Sequence, residues 1–261
     1  MLLPILLCAA VPAQISDVGS SVRTTLTRIR SEPEAYRNVE VIFDVQFASL
    51  GEISNPFFTR FTPTDYANLH VWGDEQPIWR KDSYEDLFGT LFYPKSGDQL
   101  EAIYRLETYQ RLRVHGIVRN TFQQMPWIEI TRFEPLPEQV DLAVLTHLYR
   151  GETYMAQRKW QRAIAELSLA PSGSAPEAVH RAVHRGLGIC YLRIGEPTVA
   201  RSHLEAAASL TTGVDVELER LIAAARTAPG SEIDRTVDAS KVRDYERPMW
   251  EAFEENAQPA R

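Results

Sequence analysis

The sequence predicts an α+β chain in two parts, a small five-stranded β-barrel followed by an all-α array of helical hairpins. Before Pro135-Leu136-Pro137, aromatic and β-branched residues alternate with polar ones, as in half-buried strands. After that point the apolar residues recur at helical spacing and alanine is frequent. A chain of 261 residues is long enough for two small domains.

The overall composition is that of an ordinary soluble protein, with 44% hydrophobic and 24% charged residues. A net charge of −7, from 28 basic and 35 acidic residues, argues against a chain built mainly to bind nucleic-acid phosphates. Two cysteines cannot form a disulfide framework, and six histidines give little support for a metal protein. We therefore expect neither a cofactor nor a metal.

The two ends of the chain differ from its middle. Residues 1–13, MLLPILLCAAVPA, resemble a secretory signal peptide and are too short to span a bilayer. We therefore expect an exported protein, periplasmic or extracellular, that keeps only Cys190; a buried or frayed apolar N-terminus is the alternative. Residues 227–261 are expected to form an acidic, partly disordered tail, in which Met249 and Phe253 lie one helical turn apart.

A lead-in segment, residues 14–35, precedes the barrel. Val18, Val22, Leu26 and Ile29 have helical spacing and predict a short amphipathic helix over 17–30. The first barrel strand is predicted at 38–48, where every second residue is apolar.

The remaining barrel elements follow in order. Strands are predicted at 57–61, 67–72, 111–118 and 127–133, and a helix at 98–106, whereas 83–92 fits either type. Three strands, a helix and two strands is the element order of the OB-fold, and the Val114–Val118 strand followed by Pro126–Ile130 resembles its last two strands. The resemblance covers residues 36–137, although another small barrel fits nearly as well. Gly116 is expected to relieve crowding where a barrel strand bends sharply.

Aromatic residues concentrate on or near the second and third predicted strands. The resemblance to OB-folds implies a ligand face there, with the candidates Phe58, Tyr66, His70, Trp72 and Trp79. Packing in the core is the alternative and accounts for at least half of the aromatic residues in this region. Residues 36–137 carry ten basic and fourteen acidic side chains, a net charge of −4, which makes nucleic acid an unlikely partner and favours a neutral glycan or a protein surface.

The helical half contains an internal repeat with an offset of 37 residues. The offset pairs small and large apolar residues in register: Gly151/Gly188, Tyr154/Tyr191, Ala163/Ala200, Leu167/Leu204 and Ala170/Ala207. It also pairs His147 with His184. This pattern resembles the tetratricopeptide repeat, a helix-turn-helix unit of about 34 residues. The resemblance implies two repeats over 141–226, with a capping helix at 214–225.

The same resemblance implies a peptide-binding groove on the concave face of the repeats. Its candidate residues come from the first helix of each repeat: Leu145, Leu148, Glu152, Met155, Arg185, Ile189, Leu192 and Arg193. The two arginines favour an acidic or C-terminal segment as ligand. However, the residues with which some relatives clamp a terminal carboxylate are replaced here by Leu148 and Glu152. The chain's own acidic tail is an alternative occupant.

Catalytic and metal-binding patterns are weak. His180 and His184 lie one helical turn apart, but the motif HRAVH lacks the glutamate of a zinc protease and has no third ligand, so packing is the favoured interpretation. Carboxylates near Asp82 and Glu85 leave a small hydrolase as a remote alternative. Cys190 lies on an apolar helix face, where cysteine behaves as a buried hydrophobe.

Taken together, these patterns predict a non-catalytic exported adaptor that binds a protein or peptide through its repeats, with the barrel as a second binding surface. The alternative is an oligosaccharide- or single-strand-binding barrel that the repeats merely stiffen. No pattern indicates an oligomeric state.

Overall fold

A computed structural model describes residues 21–53, 60–170, 174–211 and 213–227. The predicted signal peptide, Phe57, Phe58 and residues 228–261 lie outside the described residues.

The first half is a closed five-stranded β-barrel. Its strands are β2 (Glu40–Gly51), β3 (Tyr66–Gly73), β4 (Phe88–Pro94), β5 (Arg111–Phe122) and β6 (Met125–Pro135), and a two-residue strand β1 (Val22–Arg23) pairs with the edge of β2. The strand order is β2-β3-β4-β6-β5, and pairing of β5 with β2 closes the barrel. Within the barrel β4 and β6 run parallel, whereas the other neighbours are antiparallel.

The predicted order of three strands, a helix and two strands is present, but different residues supply one of the strands. The ambiguous segment 83–92 contains the end of helix α2 (Lys81–Glu85) and most of β4, which is the third barrel strand. Arg60 and Phe61, at the end of the strand predicted for 57–61, are not in a strand. The helix predicted for 98–106 is a single turn, α3 (Leu100–Ile103).

The lead-in helix is shorter than predicted. Helix α1 (Leu26–Ser31) begins after Thr25, whose side chain accepts a hydrogen bond from the Arg28 backbone N–H at 3.2 Å. Val22 pairs with Val41 of the barrel instead of continuing the helix. Leu26 and Ile29, on the predicted apolar face, are buried against the barrel core.

Gly116 allows two barrel strands to approach closely. A Cβ at this position would lie 2.9 Å from the carbonyl oxygen of Glu129 in the neighbouring strand, and the strand register shifts beside it. The expected crowding at Gly116 is therefore confirmed.

The second half is helical. Its helices are α4 (Leu142–Ala156), α5 (Trp160–Leu169), α6 (Glu177–Arg193), α7 (Pro197–Ser209) and α8 (Val216–Thr227). Asp141 caps α4 by accepting a hydrogen bond from the Val144 N–H at 2.7 Å. Each helix packs against the next one along the chain.

The pairs α4–α5 and α6–α7 repeat the same contacts at the predicted offset of 37 residues. A Cβ on Gly151 would collide with Leu167, and one on Gly188 would collide with Leu204. His147 contacts Glu166 at 2.9 Å, and at the corresponding positions His184 contacts His203 at 3.0 Å. The repeat in the sequence is therefore also a repeat in the packing.

The barrel and the helices share one apolar core. Trp72, Ile78 and Trp79 from the barrel half belong to the same buried cluster as Val144, Leu145 and Leu148 of α4. Shared burial of this kind holds the two halves in a defined relative position.

Candidate functional site: a groove between barrel and helices

A cavity of about 570 Å³ lies between the barrel and the helical half. Its size is within the range of roughly 300–1,000 Å³ that is usual for ligand pockets. The loop that follows β3 forms one wall, with Glu75, Pro77, Trp79 and Arg80. The other walls come from α4, α5, α6 and the first turn of α8, so both halves of the chain build the site.

Part of the groove lining is apolar, between charged side chains. Leu148 and Met155 of α4, Leu167 of α5 and Ile189 of α6 lie along it. Met155 and Ile189 are half-buried, so apolar surface remains open to an occupant. Apolar surface of this kind favours a ligand that carries large hydrophobic side chains.

Glu152 of α4 holds the barrel wall of the groove in place. Its carboxylate accepts hydrogen bonds from Trp79 Nε1 at 2.9 Å, and from Arg80 Nε at 2.7 Å and Arg80 Nη2 at 2.8 Å. This hydrogen bonding to Glu152 raises the pKa of Arg80. The planar two-point contact fixes the direction of both side chains.

Arg185 of α6 is engaged by the opposite end of the helical array. It forms ion pairs with Asp215, at 3.7 Å, and with Glu217 at the start of α8. This contact places α8 against the groove. It also leaves Arg185 less available to a ligand than the sequence suggested.

Five of the eight predicted groove residues line this cavity together: Leu148, Glu152, Met155, Arg185 and Ile189. The other three lie elsewhere. Leu145 is fully buried in the shared core, and Leu192 packs against the α7–α8 cluster. The Arg193 guanidinium lies 5.9 Å from the centre of the Trp160 ring.

The predicted ligand face of the barrel is split between two places. Tyr66, His70 and Trp72 point to the outer side of β3, because the residues between them fill the barrel core. The helices, however, cover one end of this strand. Trp72 is fully buried, donates a hydrogen bond to the Tyr84 carbonyl at 2.8 Å and stacks on Tyr109, so it offers no surface to a ligand.

Trp79 also belongs to the junction, since it is 5% exposed and bonded to Glu152. At the other end of β3, Tyr66 lines a second pocket of about 570 Å³ with Leu50, Asn68 and Tyr104. His70 is half-buried, and burial lowers its pKa. Phe58 lies outside the described residues.

Three of the carboxylates near Asp82, namely Asp74, Glu85 and Asp86, are engaged in ion pairs. Asp86 accepts hydrogen bonds from Arg30 at 2.7 and 2.9 Å, and this bonding lowers the pKa of Asp86. Asp74 forms a two-point contact with Arg111 at 2.6 and 2.8 Å. A general acid needs a raised carboxyl pKa, which is the opposite of the shift at Asp86.

Cys190 and the potential metal ligands are the remaining candidates for chemistry. Cys190 is fully buried, and burial raises the pKa of its thiol to about 12, so a reactive thiolate is disfavoured. Within residues 21–53, 60–170, 174–211 and 213–227, no cluster of three or more potential metal ligands is found.

Comparison with protein-family models, curated proteins and solved structures found no match to this chain. In the part of the chain that the structure describes, no helix is both long and apolar enough to cross a membrane.

Sequence reasoning identified the α4 and α6 residues of the groove but missed its other walls. Glu75, Arg80, and Asp215 and Glu217 at the start of α8 carry no local signal, because only the packing of distant segments brings them to the cavity. Arg181 lies one helical turn before Arg185 on α6, so helical spacing could have identified it. Trp79 was recognised as a candidate, but for a ligand face of the barrel.

Proposed function

We propose that this protein is a non-catalytic adaptor that binds a peptide segment of another protein in the groove between its barrel and its helices. The observation that carries the proposal is the convergence on one open cavity of five residues that the resemblance to tetratricopeptide repeats had marked as groove residues. The proposal places the protein outside the cytoplasm, on the strength of the leader-like residues 1–13.

The repeated contacts support a tetratricopeptide-like interpretation of the helical half. In that family the first helix of each repeat lines the concave surface, and α4 and α6 are the helices that supply most of the groove here. The barrel order β2-β3-β4-β6-β5, with β4 and β6 parallel, supports the OB-fold-like interpretation of the other half. The tetratricopeptide-like and the OB-fold-like interpretations are both part of what we propose.

Because both halves of the chain line the groove, such an adaptor would bind its partner at one site. Because Trp79 and Arg80 of the barrel half form one wall, a segment that fills the groove contacts both halves at once. One combined site therefore replaces the two independent binding surfaces expected from the sequence.

A substitution that fills the groove tests the proposal. Ala182 of α6 lines the cavity, so Ala182→Trp should block it and abolish capture of partner proteins by the immobilised full-length chain. Ala165 of α5 is exposed and does not line the groove, which makes Ala165→Trp the matched control. Equal capture by wild type, Ala182→Trp and Ala165→Trp, measured by quantitative mass spectrometry, would refute the groove as the binding site.

The second pocket favours oligosaccharide binding as a second candidate function. Tyr66 and the half-exposed Tyr104 border it, and aromatic rings can stack on sugars. Titration with an oligosaccharide panel, comparing wild type with Tyr66→Ala, decides between the candidates. Substitution of Trp72 would test only the core, because that side chain is buried.

A further inference from the structure

The charged side chains of the groove differ in whether they already have a partner. Glu152 is bonded to Arg80, and Arg185 is shared by Asp215 and Glu217. Among the described residues, Arg181 of α6 forms no ion pair, although it lines the groove and is only partly exposed. Glu75 also forms none, but it is exposed at the rim, where water solvates it.

Arg181 is therefore the charged side chain of the groove that would gain most from a bonded partner. A partly buried charge gains more from a bonded partner than an exposed charge does, because water solvates it less completely. A guanidinium binds a carboxylate through two parallel hydrogen bonds, which gives direction as well as affinity.

The wall beside Arg181 is built of small residues. Ala178, Ala182 and Gly186 are spaced four residues apart, and all three line the cavity from α6. Gly186 is already in close contact, since a Cβ there would lie 2.8 Å from Leu167 Cδ1. Ala178 and Ala182 leave room for large apolar side chains of an occupant, which would extend towards Met155 and Ile189.

We infer that the groove binds an amphipathic segment of another protein that carries large apolar side chains and an adjacent carboxylate accepting hydrogen bonds from Arg181. This inference rests on the proposed function and specifies the chemistry of the partner. A basic segment is disfavoured because it would bring a like charge next to Arg181. The carboxylates of the groove other than the exposed Glu75 are already paired with Arg80 or Arg185.

Three fluorescein-labelled 14-residue peptides test the inference on the full-length chain. They share leucine and tryptophan at every third or fourth position and differ only in having glutamate, glutamine or lysine at the adjoining positions. Fluorescence anisotropy should show the glutamate peptide binding about fivefold or more tightly than the glutamine peptide, with the lysine peptide weakest. Arg181→Gln should remove this preference, whereas Arg193→Gln should keep it, because Arg193 lies over Trp160 outside the groove.

Equal binding of the three peptides, or preference for lysine, would overturn the inference while leaving the proposed function intact. The same holds if no peptide binds but Ala182→Trp still abolishes capture of natural partners. If the glutamate peptide binds only after Trp250→Ala and Glu251→Gln are introduced together, the occupant is the chain's own C-terminal segment, and a partner from another protein is excluded. Loss of both peptide binding and groove-dependent capture would refute the proposed function itself.

Discussion

The second helical hairpin holds His184 and His203 in direct contact. The two Nδ1 atoms lie 3.0 Å apart, so one ring must donate and the other must accept. Burial, together with His180 for His184 and His184 for His203, lowers the pKa of both histidines. The Tyr191 ring is stacked on the His203 ring. The folded state therefore favours the neutral histidines.

We expect this pair to stabilise the protein above the unfolded histidine pKa of about 6.5 and to lose that contribution as the pH falls below it. The variant His203→Gln keeps a hydrogen-bonding side chain but does not titrate. Thermal unfolding at several values between pH 5 and 8 should show a smaller loss of stability in acid for His203→Gln than for wild type. Parallel pH profiles for the two proteins would contradict the prediction.

The first hairpin provides an internal comparison, because there His147 faces Glu166 at 2.9 Å. A carboxylate beside His184 would favour its charged form, whereas His203 at that place does not. The variant His203→Glu places a carboxylate beside His184, as Glu166 lies beside His147 in the first hairpin. Thermal stability should then rise as the pH falls towards 5, instead of decreasing as it does in wild type.

At the level of helical elements, the turns inside the two hairpins have a left-handed backbone conformation at equivalent positions. Arg158 has φ of +56° and Gly195, which is 37 positions later, has φ of +84°. Only glycine adopts this conformation without steric cost, and the penalty for other residues is about 1–2 kcal/mol.

Exchanging residue types at these two positions should change stability in opposite directions. Gly195→Arg should destabilise the fold by about 1 kcal/mol or more, whereas Arg158→Gly should stabilise it by up to about 1 kcal/mol. Urea denaturation of each full-length variant measures both changes in the free energy of unfolding. A gain from Gly195→Arg, or a clear loss from Arg158→Gly, would contradict the equivalence of the two turns.

At the level of the whole molecule, the barrel and the helices are joined by a shared core and by Glu152. We therefore expect tryptophan fluorescence and far-UV circular dichroism to report one coincident unfolding transition.

Glu152→Ala should lower the free energy of unfolding by about 1–3 kcal/mol, because it leaves the buried Trp79 N–H without its acceptor.

Two variants separate this effect from a general loss of charge. Glu152→Gln keeps an acceptor for Trp79 and should cost less than Glu152→Ala. Glu101→Ala removes an ion pair with Arg105 in which both side chains are at least 80% exposed, so its effect should be small. Separate transitions of the wild-type barrel and helices, or equal effects of all three substitutions, would contradict the proposed junction.

The helical hairpins were predictable because their contacts join segments that are close in the sequence. Gly151 meets Leu167 and Gly188 meets Leu204 within single hairpins, so the spacing of small and large residues already encodes the packing. The strand β4 was not predictable in the same way. Its segment reads equally well as helix or strand, and only pairing with β3 and with the distant β6 selects the strand.

Local pattern alone accounted for the division of the chain into a β-rich and a helical half and for the 37-residue repeat. The α4 and α6 faces followed from the resemblance of that repeat to tetratricopeptide repeats. Tertiary packing decided which barrel face remained open, because the helices bury Trp72 and Trp79. It also placed Arg80 beside Glu152, and Asp215 and Glu217 beside Arg185. These pairs join residues 30 or more positions apart in the chain. Whether such side chains meet depends on how the folded halves pack. Short-range periodicity reports only which residues share one face of a helix or strand, so it does not predict these contacts.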